Sequence, residues 1–236
     1  MNFRPLHCLV HIPKTAGSTI NHIMENSGLN SWPHIEGLKH NDEVLNQISN
    51  NADFISAHIP FREFRSIVSK YTSRKLIFHA FIREPTMQVA SHYNWLIEIF
   101  HRGGDFYEQH PQEIKEMSLK LRRSKNESSQ EIINKLNEYG DFFLNLQTYY
   151  LLEKRSFTSL REEINGIDHI WLTNQIDNFC NKVLGSSQIV PHAKKSNYHF
   201  RQQIFFEDKL QQFLKVHCSA DYELYTFFSE KIKLAQ

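Results

Sequence analysis

The sequence has little of what would fix a function class by composition alone. Its 236 residues include only three cysteines, whose odd number and wide spacing argue against a disulfide framework and favour a reducing compartment. The formal net charge is +1, which argues against a general nucleic-acid or membrane-surface binder. There is no run of about 18 apolar residues and no apolar leader. We therefore expect a soluble, cytoplasmic protein without a nucleic-acid or membrane partner.

Two kinds of local site signature are also missing. The 14 histidines show no HxH or HExxH spacing, so the sequence predicts no metal site. A Walker A loop needs a glycine before its lysine, whereas Lys14 precedes Gly17 in the one candidate loop. These absences argue against a zinc enzyme and against an ordinary ATPase or GTPase.

The sequence does contain short apolar segments that alternate with helical patterns. With 40% hydrophobic and 13% aromatic residues the chain can build a real core. The segments 6–12, 53–59, 75–82 and 168–172 lack polar alternation, as expected of strands covered on both faces. We predict a three-layer α/β fold with a central, mostly parallel sheet of about four to five strands flanked by helices, in a single domain 1–236.

Three stretches between the predicted strands have less regular patterns. Residues 29–38 are predicted to be a loop, and 142–152 a single amphipathic helix. Residues 102–129 are predicted to be an exposed excursion that is helical over 111–121. Its basic run at 120–125 favours a solvated surface over a binding role.

A loop rich in hydroxyl groups follows the first predicted strand. It consists of Lys14, Thr15, Ala16, Gly17, Ser18 and Thr19. Free N–H groups at the start of the next helix, together with the helix dipole, suit a phosphate. The alternative is an ordinary turn with a capping Ser or Thr.

Polar residues also follow two other predicted strands. His58 ends the second and Arg83 ends the third, where open parallel sheets place their chemistry. Ser91 lies on the helix after Arg83 and could share an anion with it. A single histidine after a buried strand, taken by itself, is more often a structural histidine than a base.

Three segments, each containing one of the candidate site residues Lys14, His58 and Arg83, together resemble a known family. HIPKTAGSTI at 11–20, ADFISAHIPF at 52–61 and FIREPTMQVASHYNWL at 81–96 are similar to sulfotransferases related to the heparan-sulfate and uronyl O-sulfotransferases. Weaker similarities follow at 145–152, 168–179 and 221–228, so the resemblance spans most of the chain. It implies transfer of a sulfuryl group from 3′-phosphoadenosine 5′-phosphosulfate (PAPS) to a sugar or polysaccharide hydroxyl. The absence of an anchor is typical of a bacterial member.

The resemblance also implies roles for individual residues. The 14–19 loop would be P-loop-like and hold the 5′-phosphosulfate, with Lys14 stabilising the leaving phosphate and His58 acting as general base. Arg83 and Ser91 would grip the 3′-phosphate, and Lys194, Lys195 and Ser196 would lie in a loop that closes over the nucleotide. The product would be adenosine 3′,5′-bisphosphate, with no metal required. Near the site, His11 and His92 are expected to serve packing.

The chain departs from the family pattern at two places. Ser56 stands where some relatives have a second histidine, and Glu84 replaces the usual aspartate of an Arg-Asp-Pro motif. Two alternatives stay open: an inactive nucleotide-binding module and, with less support, a P-loop-like kinase. The acceptor could also be a lipid, a small metabolite or a peptide tyrosine.

Overall fold

The structure, a computed structural model, describes residues 4–122, 127–185 and 199–234. Two compact units make up the chain. The first combines Met1–Arg83, Asn145–Ala193 and Glu223–Gln236, and the second combines Glu84–Leu144 and Lys194–Tyr222. The predictions for Lys194, Lys195 and Ser196 lie outside the described residues.

The first unit is built on a five-stranded sheet. The strands are β1 Leu6–Val10, β2 Ser31–Trp32, β3 Phe54–Ala57, β4 Leu76–Ile82 and β5 His169–Leu172. They are ordered β2-β3-β1-β4-β5, and every neighbouring pair is parallel. The prediction of an α/β fold with a parallel sheet flanked by helices is confirmed.

Helices of the first unit surround this sheet. They are α1 Gly17–Glu25, α2 Asp42–Asn51, α3 Phe61–Ser69, α9 Leu146–Leu152, α10 Leu160–Glu163 and α11 Ile176–Leu184, with a 3₁₀ helix at Ile35–Leu38. Leu6, Cys8 and Val10 of β1 join one core cluster, whereas Leu9 joins a second cluster with α1 and α11. Both faces of the central strand are therefore covered, which explains its continuous apolar sequence.

The second unit is helical in the residues that the structure describes. It contains α4 Pro85–Arg102, α5 Gly104–Glu108, α6 Gln112–Leu121, α7 Ser129–Glu138, α8 Gly140–Phe143, a 3₁₀ helix Gln202–Phe206 and α12 Asp208–His217. The last helix, α13 Ser219–Lys233, begins in this unit and continues into the third segment of the first. A separate core of its own, which includes Tyr93, Phe143 and Phe205, holds this unit together.

The structure differs from the sequence-based predictions at three places. Strand β2 lies in the predicted loop 29–38, and the predicted helix 142–152 is broken, because Asn145 adopts a left-handed backbone with φ 51°. In the predicted excursion 102–129, α6 buries Met117 and Leu121 in the second core. That stretch is therefore not uniformly exposed, since its few apolar residues share one helical face.

A row of imidazole rings crosses three strands of the first unit. His79 of β4 stacks between His7 of β1 and His169 of β5, with ring centroids 5.2 Å apart on each side. The Nε1–H of Trp171 donates to Nδ1 of His79 (3.3 Å), so the His79 proton is on Nε2, which lies 3.0 Å from Nδ1 of His7. We call His7, His79 and His169 the imidazole row.

None of the helices within residues 4–122, 127–185 and 199–234 combines the length and apolar character that crossing a membrane requires.

Candidate functional site

The loop after β1 has an unusual backbone. Lys14 and Ala16 both have positive φ values, 66° and 78°. Non-glycine residues in this region cost about 1–3 kcal/mol each and are concentrated at ligand clamps and switch regions. Ala16 is the N-cap of α1 and provides no side-chain cap, and Thr15 is buried with its hydroxyl donating to the carbonyl of Ile12 (2.9 Å). The side-chain cap by Ser or Thr that the alternative interpretation expected is therefore absent from this helix start.

Gly17 is required by its contact with His11. A Cβ at Gly17 would lie 1.9 Å from Cδ2 of the His11 ring. His11, which follows β1, is itself only 3% exposed. The glycine therefore lets the helix start pack directly on an imidazole.

Arg83 is held against the same loop. Its guanidinium Nη1 donates to the carbonyl of Lys14 over 3.3 Å. The side-chain amide of Gln147 accepts from the Arg83 N–H (2.8 Å) and donates to the Arg83 carbonyl (3.0 Å), which fixes the end of β4. Gln147 is fully buried, so we assign it as a positioning residue for Arg83.

His58 lies just after β3 and is oriented from two sides. Its Nδ1 donates to the carbonyl of His11 over 2.6 Å, because a carbonyl can only accept. Nε2 of the neutral ring therefore carries the lone pair. The His58 backbone N–H donates to Oε2 of Glu36 (3.1 Å), and the His11 and His58 rings stack with centroids 3.9 Å apart.

A third histidine joins these two from the segment after β2. Nδ1 of His34 lies 3.3 Å from Oε1 of Glu36, and its Nε2 lies 3.2 Å from Nδ2 of Asn21. One ring nitrogen from each of His11, His34 and His58 lies within 4.8 Å of the others. We call these residues the histidine triad.

The surroundings shift the pKa values of the three triad histidines in different directions. Burial, followed by the charges of His58, His34 and Lys14, holds the pKa of His11 well below its usual value. Burial also lowers the pKa of His58, against the opposing effect of Glu36. The hydrogen bond to Glu36 raises the pKa of His34. His58 is therefore a neutral base at neutral pH.

The remaining predicted residues lie on the first turn of α1 and on α4. Ser18 is exposed and Thr19 half-buried in the first turn of α1. Ser91 is buried on α4 in the second unit, as is His92. A cavity of about 810 Å³ lies along β5 and α13, and none of the predicted site residues lines it.

Sequence reasoning missed His34, Glu36, Asn21 and Gln147. His34 and Glu36 come from a segment that carries no local signature, and only the fold brings them beside His58. Asn21 directly follows the stretch 11–20, and its contact with His34 depends on the fold. Gln147 lies in one of the weaker stretches of family resemblance, which was the one signal that pointed to it.

Neither the protein-family models nor the curated protein sequences give a match to this chain.

Proposed function

We propose that the chain is a PAPS-dependent sulfotransferase that transfers a sulfuryl group to an acceptor hydroxyl of a carbohydrate. The observation that carries the proposal is the convergence of two side chains, those of Arg83 and His58, on the loop after β1. Arg83 contacts the Lys14 carbonyl, and His58 contacts the His11 carbonyl at the start of the loop. These groups follow β4 and β3, the two neighbours of β1.

The strand order also supports a ligand site at the carboxyl ends of β1, β3 and β4. From β1 the chain continues to β2 and β3 on one side, and then crosses to β4 on the other. Ligands of open α/β sheets bind outside the carboxyl ends of the strands at such a switch point. The positive φ values of Lys14 and Ala16 and the uncapped start of α1 suit a P-loop-like phosphosulfate loop.

In this reaction the bound donor supplies an activated sulfur–oxygen bond. The acceptor oxygen forms a bond to sulfur while the bond from sulfur to the bridging oxygen breaks, and the electron pair stays on the leaving phosphate. The Lys14 ammonium and the backbone N–H groups of the loop stabilise that charge. His58 Nε2 takes the acceptor proton, which contributes about 10²–10⁴ in rate.

The first test is calorimetric titration with adenosine 3′,5′-bisphosphate in EDTA, with AMP and ATP as comparisons. We expect binding that needs the 3′-phosphate and weakens about 10–100-fold in Arg83→Ala, because a hydrogen bond to a charged group contributes about 1.5–3 kcal/mol. Arg62→Ala, an exposed arginine of α3, is the matched control and should bind normally. A preference for ATP that needs Mg²⁺ would favour the kinase, and no binding would refute the proposal.

The second test addresses His58. We expect His58→Asn to keep nucleotide binding and to lose transfer by about 10²–10⁴. Because burial lowers the pKa of His58, the base stays neutral at pH values where an ordinary histidine is half protonated. The acid limb of kcat/KM should therefore lie below about pH 6.5. Undiminished transfer by His58→Asn would remove this residue from the mechanism.

A further inference from the structure

The histidine triad has the orientation of a ligand set as well as its spacing. His58 donates its Nδ1 proton to a backbone carbonyl, and Nδ1 of His34 faces a Glu36 carboxylate oxygen. Metal-binding histidines usually donate their second ring nitrogen to such groups, which fixes the tautomer and turns the other nitrogen toward the ion. In His58 this leaves the Nε2 lone pair for an ion. Nε2 of His34 accepts from the side-chain N–H of Asn21 (3.2 Å), a hydrogen bond that a bound ion would replace.

His11 supplies an independent observation. Its ring is 3% exposed, and within the described residues its Nδ1 has no hydrogen-bond partner. Leaving a buried polar atom unsatisfied costs about 1–3 kcal/mol. Asn21, which contacts His34, likewise has a buried Oδ1 without a partner in the described part of the chain. Unsatisfied polar atoms thus occur in and beside the triad.

The surrounding charge is compatible with a cation. Glu36 reaches two members of the triad, one through the His34 ring and the other through the His58 backbone. The opposing charge is Lys14, which acts on His11. A carboxylate in this outer position raises the basicity of the imidazole that it contacts.

We propose that His11, His34 and His58 bind one divalent transition-metal ion, for which Zn²⁺ is the representative. Imidazole ligands suit zinc, copper, nickel and cobalt, whereas Mg²⁺ and Ca²⁺ require oxygen ligands. Zinc–nitrogen bonds are about 2.0–2.1 Å, so two nitrogens on one ion lie at most about 4.2 Å apart. The three nitrogens, within 4.8 Å of each other, would therefore have to move closer, which includes turning the stacked rings of His11 and His58. Three protein ligands leave a fourth position open.

The site has a consequence for catalysis that rests on the proposed function. Nε2 of His58 can hold a metal or accept the acceptor proton, but not both at once. Metal binding would therefore inhibit sulfuryl transfer, and a chelator would restore it. The metal site itself does not depend on this consequence.

The test is titration of chelator-treated, desalted protein with Co²⁺, followed by visible absorption, and then displacement by Zn²⁺. We expect one ion per chain with the intense bands of tetrahedral Co²⁺, and no response to Mg²⁺. His34→Ala, which alters an exposed ligand, should abolish the bands, and Glu36→Gln should weaken binding about 10–100-fold. His40→Ala, at another exposed histidine of the first unit, should bind normally, and thermal unfolding of each variant verifies that it is folded.

Equal Co²⁺ or Zn²⁺ affinity in His34→Ala and the unchanged protein would overturn the proposal, as would weak, octahedral Co²⁺ spectra. The titration contains no nucleotide. It therefore decides on the metal site even if the chain binds no adenosine 3′,5′-bisphosphate, and the EDTA titration decides on the donor site without any metal.

Discussion

At the scale of single residues, the His11 ring leaves no room for a side chain at Gly17. The sequence places Gly17 in the loop predicted to bind a phosphate, and the structure shows that any side chain there would meet the His11 ring. The ring in turn belongs to the triad and packs on His58. The absence of a Cβ at Gly17 therefore allows the start of α1 to pack directly on a ring of the candidate site.

Gly17→Ala should destabilise the first unit by about 1–3 kcal/mol, because overpacking forces shifts in a buried contact. The measurement is urea unfolding. Gly37→Ala is the matched control, since nothing lies within 4 Å of a Cβ at that exposed position of the same unit. If both variants have the same free energy of unfolding, the steric argument fails.

The candidate site was predictable only in part at this scale. Lys14, His58 and Arg83 follow apolar strands, so their place at one edge of the sheet follows from the sequence. His34 and Glu36 follow a strand of two residues, and no periodic pattern marks so short an element. The prediction of no metal site depended on local spacing, which does not detect histidines brought together from separate segments.

At the scale of elements, local capping explains where some helices begin. Ser128 caps α7 through a full capping box: its hydroxyl accepts from the Glu131 N–H (3.4 Å), and Glu131 accepts from the Ser128 N–H (2.7 Å). Ser159 occupies the N-cap of α10 without a side-chain cap. The same residue type thus has different roles at two helix starts.

Ser128→Ala should lower the free energy of unfolding by about 1 kcal/mol, the usual contribution of an N-cap hydrogen bond. Ser159→Ala should change it by less than about 0.5 kcal/mol. Chemical denaturation of both variants checks the difference. A larger loss in Ser159→Ala than in Ser128→Ala would contradict the assignment of the caps.

The sequence predicts the long elements better than the breaks between them. Strands β1, β3, β4 and β5 are found because each is a short apolar run between helical patterns. The break between α8 and α9 was missed because the apolar period continues through Asn145, whose left-handed backbone interrupts the helix without any change in hydrophobicity. The backbone conformation of a single residue does not alter the hydrophobic periodicity from which helices are predicted.

At the scale of the whole molecule, we expect the imidazole row to make the free energy of unfolding depend on pH. Burial, followed by the charges of His7 and His169, holds the pKa of His79 well below its ordinary value. Burial is also the largest cause of the lowered pKa values of His7 and His169, with Lys182 acting in the same direction on both. Asp53 and Asp168 oppose these shifts.

Since these histidines are protonated more readily in the unfolded chain, stability should fall as the pH drops below about 6.5. For His79 the loss is about 1.4 kcal/mol per pH unit while only the unfolded state is protonated. Denaturation between about pH 7.5 and about pH 5.5 measures the slope.

His79→Gln should reduce this slope by about 1.4 kcal/mol per pH unit, the contribution of one proton, because glutamine does not titrate. His40→Gln, at an exposed position of the first unit, is the matched control. Identical slopes in His79→Gln and the unchanged protein would show that the row does not cause the dependence.

The strand order also sets the sequence of events while the chain is being synthesised. β1 leaves the ribosome first yet becomes the central strand, and four of the five strands are complete once Ile82 has emerged. The next residues, Glu84–Leu144, belong to the second unit, and their described part, 84–122 and 127–144, contributes no strand to the sheet. The outer edge of β4 therefore stays open until His169–Leu172 is translated, and during that interval a nascent chain is most exposed to pairing with another copy of itself.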